Sequence, residues 1–365
     1  MDGVDAVLME IAGDRCRTLG GLTHPYPEQL RLRLHVAITP DARLSLHDFA
    51  SLDIEVGEWF ALAAAMLLER CGTRSDEVHA VGSHGQTLRH APRAGYPYSI
   101  QIGSPAVIAA RLGITTVGDF RSMDIAYGGE GAPLVPAFHQ WLLRRPEENR
   151  IVANIGGISN ISLLPARADT AIQGYDTGPG NCLLDSWCAR HCDTPYDLDG
   201  RWAASGTLHR KLLEALLQNP YFVAPPPKST GREVFNLAYL DAFLAQHDFA
   251  SVSPADVQAT LTALTIETLA REVERTGRDW AARLLVCGGG AHNGHLMQGL
   301  TRRLAPMVVS STSLVGVDPD LVEACAFAWL AFMRLQQRPV QVTTGGGTRA
   351  VTLGAVYAAT PSQEK

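Results

Sequence analysis

The chain has no pair of cysteines at C-x-x-C spacing, and its seven cysteines (Cys16, Cys71, Cys182, Cys188, Cys192, Cys287, Cys325) are odd in number and scattered. Such usage indicates reduced thiols rather than a disulfide framework. No Lys/Arg cluster stands out and the net charge is −6, which argues against a nucleic-acid footprint. Long apolar runs are missing as well. The longest, Trp59 to Leu68 and Ala324 to Met333, fall well short of a membrane span. The first residues, Met1-Asp2-Gly3-Val4-Asp5, carry acid where a signal peptide would carry base. A cytoplasmic protein with no membrane or nucleic-acid partner is therefore expected.

Three chemical signatures are also missing. The twelve histidines form no H-x-x-x-H pair on a helix, so histidine-based metal chemistry is not indicated. Cys188, His191 and Cys192 stand close together, but at the i, i+3, i+4 period of an ordinary packed helix face. There is no G-x-x-x-x-G-K-[ST], which excludes a P-loop enzyme. No G-x-G-x-x-G follows the first strand, which weakens a dinucleotide reading. No internal repeat or low-complexity tract is visible.

What the chain does contain is enough sequence, at 365 residues, for two domains with separate cores. An apolar fraction of 46% and a charged fraction of 19% describe an ordinary globular composition. Strand patterns fall at 6–11, 78–82, 151–155 and 283–287. Helical patterns fall at 54–71, 183–191, 208–217, 257–276 and 321–335. Their mixture indicates an α/β architecture. Ala224 to Gly231, with its three prolines, reads as a stiffened loop.

Strands repeatedly end in glycine: Ile155-Gly156-Gly157, Cys287-Gly288-Gly289-Gly290 and Thr344-Gly345-Gly346-Gly347. Glycine commonly ends strands, yet such turns also let a backbone approach phosphates closely. Beside them stands Gly174-Tyr175-Asp176-Thr177-Gly178-Pro179-Gly180-Asn181, one carboxylate set against a Gly/Pro turn before an apolar helix. Asp176 is placed either to handle a proton near an anion or to cap that helix.

Taken in order, several motifs become recognisable. They are Ser83-His84-Gly85-Gln86-Thr87, Asp119-Phe120-Arg121, Gly128 to Pro136, Asn154 to Asn160, the Asp176 run, Lys228 to Glu233, and Cys287 to Asn293. From Met1 to about Tyr357 the chain resembles the anhydro-N-acetylmuramic acid kinases of bacteria, within the actin-like ATPase superfamily of sugar kinases and chaperones. The resemblance implies a two-domain, ribonuclease H-like α/β fold hinged around a cleft. It places one domain over 1–121, completed by about 353–365, and a second over 122–352 carrying most of the nucleotide site.

The reaction so implied uses ATP, Mg²⁺ and water. It converts 1,6-anhydro-N-acetylmuramic acid to N-acetylmuramic acid 6-phosphate and ADP, in peptidoglycan recycling. Asp176 matches the family's base. Arg121 is implied as a fork for the sugar's lactyl carboxylate, or else as a surface ion-pair partner of Asp119 or Asp124. His84 and Gln86 would meet substrate hydroxyls, with a purely structural histidine as the other reading. Glu323, opening a helix, would reach substrate or simply favour the helix dipole. Gly156, Gly157 and Asn160 fit the superfamily's phosphate hairpin and Gly288, Gly289, Gly290 and Asn293 its adenosine loop; Gly178 and Gly180, in the turn after the base, are read as nucleotide-binding with them. No dedicated metal ligand is assigned; phosphates and water would hold the metal, with Asp176 as the one side chain considered beside them. The family's habit suggests a homodimer.

One departure bears on activity. Family members carry a strand and a loop reading roughly Gly-Leu-Met-Ser-Gly-Thr-Ser ahead of the Met-Asp-Gly-Val-Asp that here begins at Met1. Either the start is assigned to an internal methionine, or the first strand and first phosphate turn are absent. A chain starting at Met1 is expected to bind ATP weakly and to leave a strand unpaired. Two other functions stay open: a non-catalytic actin-like nucleotide- or sugar-binding module, and a kinase for another small sugar or acid.

Overall fold

The computed structural model describes residues 3–13, 15–39, 41–167, 170–226, 228–276, 280–344 and 347–360, with backbone only at 343, 344, 347 and 348. Contacts divide the chain into two units. One is Met1–Leu142 together with Glu323–Lys365, and the other is Leu143–Val322. Both mix helices and strands, as the sequence pattern indicates. No helix among the described residues is long and apolar enough to cross a membrane.

In the first unit, strands Gly3–Ala12 and Arg15–Pro25 pair antiparallel. They pack on the long helix Leu46–Cys71, where Gly20 lies against the Cys71 thiol and Trp59 donates its indole N–H to the Pro25 carbonyl at 3.1 Å. Ser45 caps the start of that helix by accepting from Asp48 N, and Gly72 ends it in the left-handed region at φ 63°. The helix begins eight residues before the apolar period shows itself, because its first turns face water.

The part of this unit that matters for function is a small sheet. Strand Val81–Gly82 runs parallel to Thr116–Gly118, and Ala355–Tyr357 pairs antiparallel on the other side of the latter. Parallel neighbours send their carboxyl ends to the same edge, where ligands of α/β sheets collect. Out of those two ends run Ser83-His84 and Asp119-Phe120-Arg121.

Both unit edges differ from the 121 and 352 read from sequence. Residues 122–142 and the described residues of 323–352 belong to the first unit, through contacts that periodicity cannot report. Gly82 sits so close under the Phe327 carbonyl that any side chain there would collide with it. Phe138, Trp141 and Trp329 form one aromatic cluster, with centroids 5.6–5.9 Å apart. The C-terminal return near residue 353 is a strand, Ala355–Tyr357. Of the glycine turn at 344–347, Gly345 and Gly346 lie outside the described residues.

The second unit is built on a five-stranded sheet. Its order is Val308–Ser311, Arg283–Cys287, Arg150–Ile155, Ile158–Leu164 and Gln173–Pro179. The first three run parallel and the last three form an antiparallel meander. Strands Arg150–Ile155, Gln173–Pro179 and Arg283–Cys287 therefore all point one way. Their carboxyl ends deliver Gly156-Gly157, Gly180-Asn181 and Gly288-Gly289-Gly290 to a single edge.

Helix Pro254–Arg275 packs against this sheet. Leu261, Leu264 and Leu269 are buried with Ile161, Tyr175 and Phe222, while Thr265 donates its hydroxyl to the Pro179 and Gly180 carbonyls at 3.2 and 2.9 Å. Burying each of these leucines contributes roughly 2 kcal/mol.

Candidate active site

The residues singled out by sequence fall into two clusters, one on each unit. On the second unit Asp176 lies within strand Gln173–Pro179, opposite Asn160 of the neighbouring strand. It does not cap the following helix; Asn181 stands at that position. Asp176 is instead held on three sides. Its Oδ2 accepts from Thr230 N at 3.0 Å, its own N–H donates to the Lys228 carbonyl at 3.1 Å, and its carbonyl accepts from the Tyr221 hydroxyl at 2.8 Å. Burial pushes the Asp176 carboxyl up to about 6, against the pull of the Thr230 N–H and with a further push from Glu233.

The glycine turns around it differ in what they require. Gly180 N and Cys182 N both donate to the Gly157 carbonyl at 3.0 Å, and Asn181 N donates to Gly156 O at 2.8 Å. A side chain at Gly180 would strike that Gly156 carbonyl, and one at Gly178 would press on the Phe222 ring. At those two positions packing within the protein already requires glycine. Gly288, at φ 77°, closes against Asn154 Oδ1, and Gly290 closes against Ile155.

Gly156 and Gly289 behave otherwise. An added Cβ at either would meet nothing nearer than 3.6 Å, so the fold itself does not demand glycine there. Open backbone at the carboxyl end of parallel strands is what a phosphate or nucleotide needs. The Arg232 guanidinium lies directly over Gly157. Asn293 is engaged differently: its Oδ1 accepts from Leu296 N at 3.0 Å and caps the helix Gly294–Leu304.

Beside the Gly288–Gly290 turn opens a cavity of about 400 Å³ lined by Ala291, His292, Ser311, Ser313, Val317 and Pro319, among others. Apart from the end of the Cys287–Asn293 motif, none of these residues drew notice in the sequence. The available signal was Val308–Ser311, a second strand beside Arg283–Cys287 that ends in a Ser-Thr-Ser turn.

On the first unit the register of the small sheet brings His84 and Arg121 together. Ser83 N donates to Val117 O at 2.8 Å, and Asp119, at φ 50°, turns the chain so that Arg121 follows. Arg121 donates from Nη2 and Nε to His84 Nε2 at 2.7 and 3.2 Å, and from Nη1 to the Gly131 carbonyl at 2.6 Å. His84 is therefore an acceptor at Nε2 and neutral. Burial and the Arg121 charge push its pKa down to about 3. Its ring packs on Phe327, with centroids 4.5 Å apart.

The acids considered as surface partners of Arg121 have other work. Asp119 accepts from Ser122 N at 3.3 Å, and Asp124 accepts from Gly131 N at 2.7 Å. Desolvation draws the Arg121 pKa down while the Glu323 charge raises it. Glu323 opens the helix Val322–Leu335 and keeps atoms in reach of solvent. Protein packed around its carboxyl raises its pKa, Arg121 opposes, and Asp5 adds to the rise. Gln86 starts the next strand, and its side-chain amide donates weakly to Thr87 O at 3.4 Å.

Comparison with known proteins agrees with these motifs. The family model for anhydro-N-acetylmuramic acid kinase matches residues 1–359. The anhydro-N-acetylmuramic acid kinase of Coxiella burnetii (strain Dugway 5J108-111) is 43% identical over 358 residues, spanning 98% of this chain and 94% of the relative. That of Xanthomonas campestris pv. campestris (strain 8004) is 46% identical over 365 residues, spanning 98% and 94%. Among solved structures, component A of the Acidaminococcus fermentans (R)-2-hydroxyglutaryl-CoA dehydratase overlays with TM-score 0.43 at 10% identity, over 89% of this chain and 96% of that one. With a match this long and identities this high, the chain belongs to the anhydro-N-acetylmuramic acid kinase family.

Proposed function

We propose that this kinase opens 1,6-anhydro-N-acetylmuramic acid with water and phosphorylates the freed 6-oxygen, giving N-acetylmuramic acid 6-phosphate and ADP. The observation that carries the reading is the Asp176 carboxyl, fixed by the Thr230 N–H and raised to about 6. A base with that pKa is mostly ionised at neutral pH and still basic enough to take a proton from water. As water attacks the anomeric carbon, Asp176 accepts one of its protons and the ether bond to the 6-oxygen breaks. Asp176 later releases that proton to solvent, which balances the reaction.

ATP, with Mg²⁺, supplies the transferable phosphoryl group. The residues present fit such a group: open backbone at Gly156 and Gly289 with the cavity beside Ala291 suits phosphates and a nucleoside. Gly157, Asn160, Gly178, Gly180, Gly288, Gly290 and Asn293 are assigned to the nucleotide with them. Arg121 is assigned the lactyl carboxylate, and His84 holds it in place. Gln86 and Glu323 are assigned sugar hydroxyls. The same reading takes the protein to be a cytoplasmic homodimer acting in peptidoglycan recycling; the family resemblance supports that part.

The test is ADP release on adding 1,6-anhydro-N-acetylmuramic acid with ATP and Mg²⁺, with the product identified by mass as a phosphate monoester. Release that depends on the anhydrosugar supports the reading. Sugar binding without turnover would favour a non-catalytic module, and turnover on an ordinary hexose or acetate another kinase.

The two kinds of glycine should separate cleanly. Gly288→Ala forces a side chain into a left-handed, filled position and should cost about 1–3 kcal/mol of stability. Gly289→Ala should leave the melting temperature unchanged and weaken ATP binding about tenfold by blocking the approach of a phosphate or ribose. Calorimetry of both variants checks this, and equal nucleotide affinity in Gly289→Ala would remove that turn from the site.

A further inference from the structure

Behind Asp176 lies an ion pair that the reaction does not use. Lys228 and Glu272 have side chains only 4% and 1% exposed, with Nζ 2.7 Å from Oε1. The ammonium also donates to the Tyr221 carbonyl at 3.2 Å, and it sits 4.9 Å from the centre of the Tyr221 ring. Arg275 Nε approaches the other Glu272 oxygen at 3.2 Å. The Lys228 ammonium thus ties Tyr221 to the helix Pro254–Arg275, and the Lys228 backbone is tied with it.

Desolvating two charges is expensive, and apolar residues of similar volume commonly do as well for stability. Stability alone is thus a weak account of the pair. Its contacts suggest another. Tyr221 donates to the Asp176 carbonyl, Lys228 accepts from the Asp176 N–H, and Thr230, two residues on, donates to the Asp176 carboxylate. All three holds on Asp176 come from the residues that Lys228 anchors. Apolar packing would keep them near Asp176 but would not fix their register along it, whereas a directional ammonium with three donors does.

We propose that the Lys228–Glu272 pair is a positioning device for Asp176, locking Tyr221, Lys228 and Thr230 in the one register that holds the base at its carbonyl, its amide and its carboxylate. The inference rests on the reading of Asp176 as the base. The charged and titratable groups around Asp176 are Glu233 and Arg232 on the loop that carries Thr230, Glu272 and Arg275 on the helix behind, and Tyr175 and Tyr221, whose own pKa values burial raises. Asn160, facing it from the neighbouring strand, is uncharged. None of them replaces the N–H of Thr230, which favours the ionised carboxylate.

The experiment combines Lys228→Met/Glu272→Leu with direct titration of the Asp176 carboxyl by carbon NMR, assigned through Asp176→Asn. If the pair positions the base, slackening the Thr230 contact should move the Asp176 midpoint upward. The acid limb of kcat should follow it, and kcat at neutral pH should fall about tenfold with KM for ATP unchanged. Lys228→Met/Glu272→Gln likewise leaves no unpaired buried charge and keeps the volume at 272; it should show a shift in the same direction and serves if the first double variant does not fold. An unmoved midpoint and acid limb in a folded variant would overturn the proposal. If the wild type releases no ADP with the anhydrosugar, the functional reading fails on its own. The NMR titration would still decide the role of the pair.

Discussion

Asp176→Asn should stop turnover and at the same time raise the melting temperature. Loss of a general base typically removes about 10²–10⁴-fold in rate. The gain in stability follows from the same environment. In the fold the Asp176 carboxyl is raised from 3.8 to about 6, so the native state holds its proton more tightly than the unfolded chain does. Between those values stability falls as pH rises, because the unfolded chain binds fewer protons there. At neutral pH the ionised, buried carboxylate therefore opposes folding, by about 1–3 kcal/mol.

Asparagine keeps an oxygen for the Thr230 N–H and removes the charge, so the variant should melt a few degrees higher. The gain should vanish at acid pH, where Asp176 is protonated in both states. Wild-type kcat should rise with pH through about 6 as the base ionises. Calorimetry over pH, paired with ADP release, checks both arms. A variant that is inactive yet no more stable at neutral pH would show that Asp176 is not held in the environment described.

How much of this was legible in the chain depends on the kind of residue involved. The glycine turns were, since few residues but glycine end successive parallel strands in pairs and triplets. The strands at 151–155 and 283–287 and the buried helix at 322–335 carry apolar runs long enough to read. Strand Gln173–Pro179 was not, because Gly174, Gly178 and Pro179 are poor strand formers. It exists because it pairs with Ile158–Leu164 and because Thr177 donates to Ser159 O at 3.2 Å. For the same reason the sequence alone leaves Asp176 open to a helix-capping role. Lys228 and Glu272 stand 44 residues apart, and no period or motif joins a loop lysine to a glutamate inside a long helix. Only the packing of Tyr221 and Phe222 under that helix makes them neighbours.

Arg121→Met should raise KM for the anhydrosugar about 10–100-fold with a much smaller change in kcat. A guanidinium has five N–H donors; two of those on Arg121 meet His84 Nε2 and one meets Gly131 O, leaving two for a ligand. Charge-assisted bonds of that kind contribute about 1.5–3 kcal/mol, which sets the expected range. The anchors matter because they determine where the fork points. His84 can hold Arg121 only as a neutral acceptor, and a pKa pushed down to about 3 keeps it so throughout the working range. KM should accordingly show no histidine titration near neutrality. Arg121→Lys should bind almost as poorly as Arg121→Met, since an ammonium cannot span both the anchors and a carboxylate. The decisive comparison uses 1,6-anhydro-N-acetylglucosamine, the same bicyclic sugar without the lactyl ether. If Arg121 grips the lactyl carboxylate, the wild type should bind this analogue about as weakly as Arg121→Met binds the full substrate. The substitution should then cost nothing further with the analogue. Equal losses with both sugars would assign Arg121 to folding of its own loop instead.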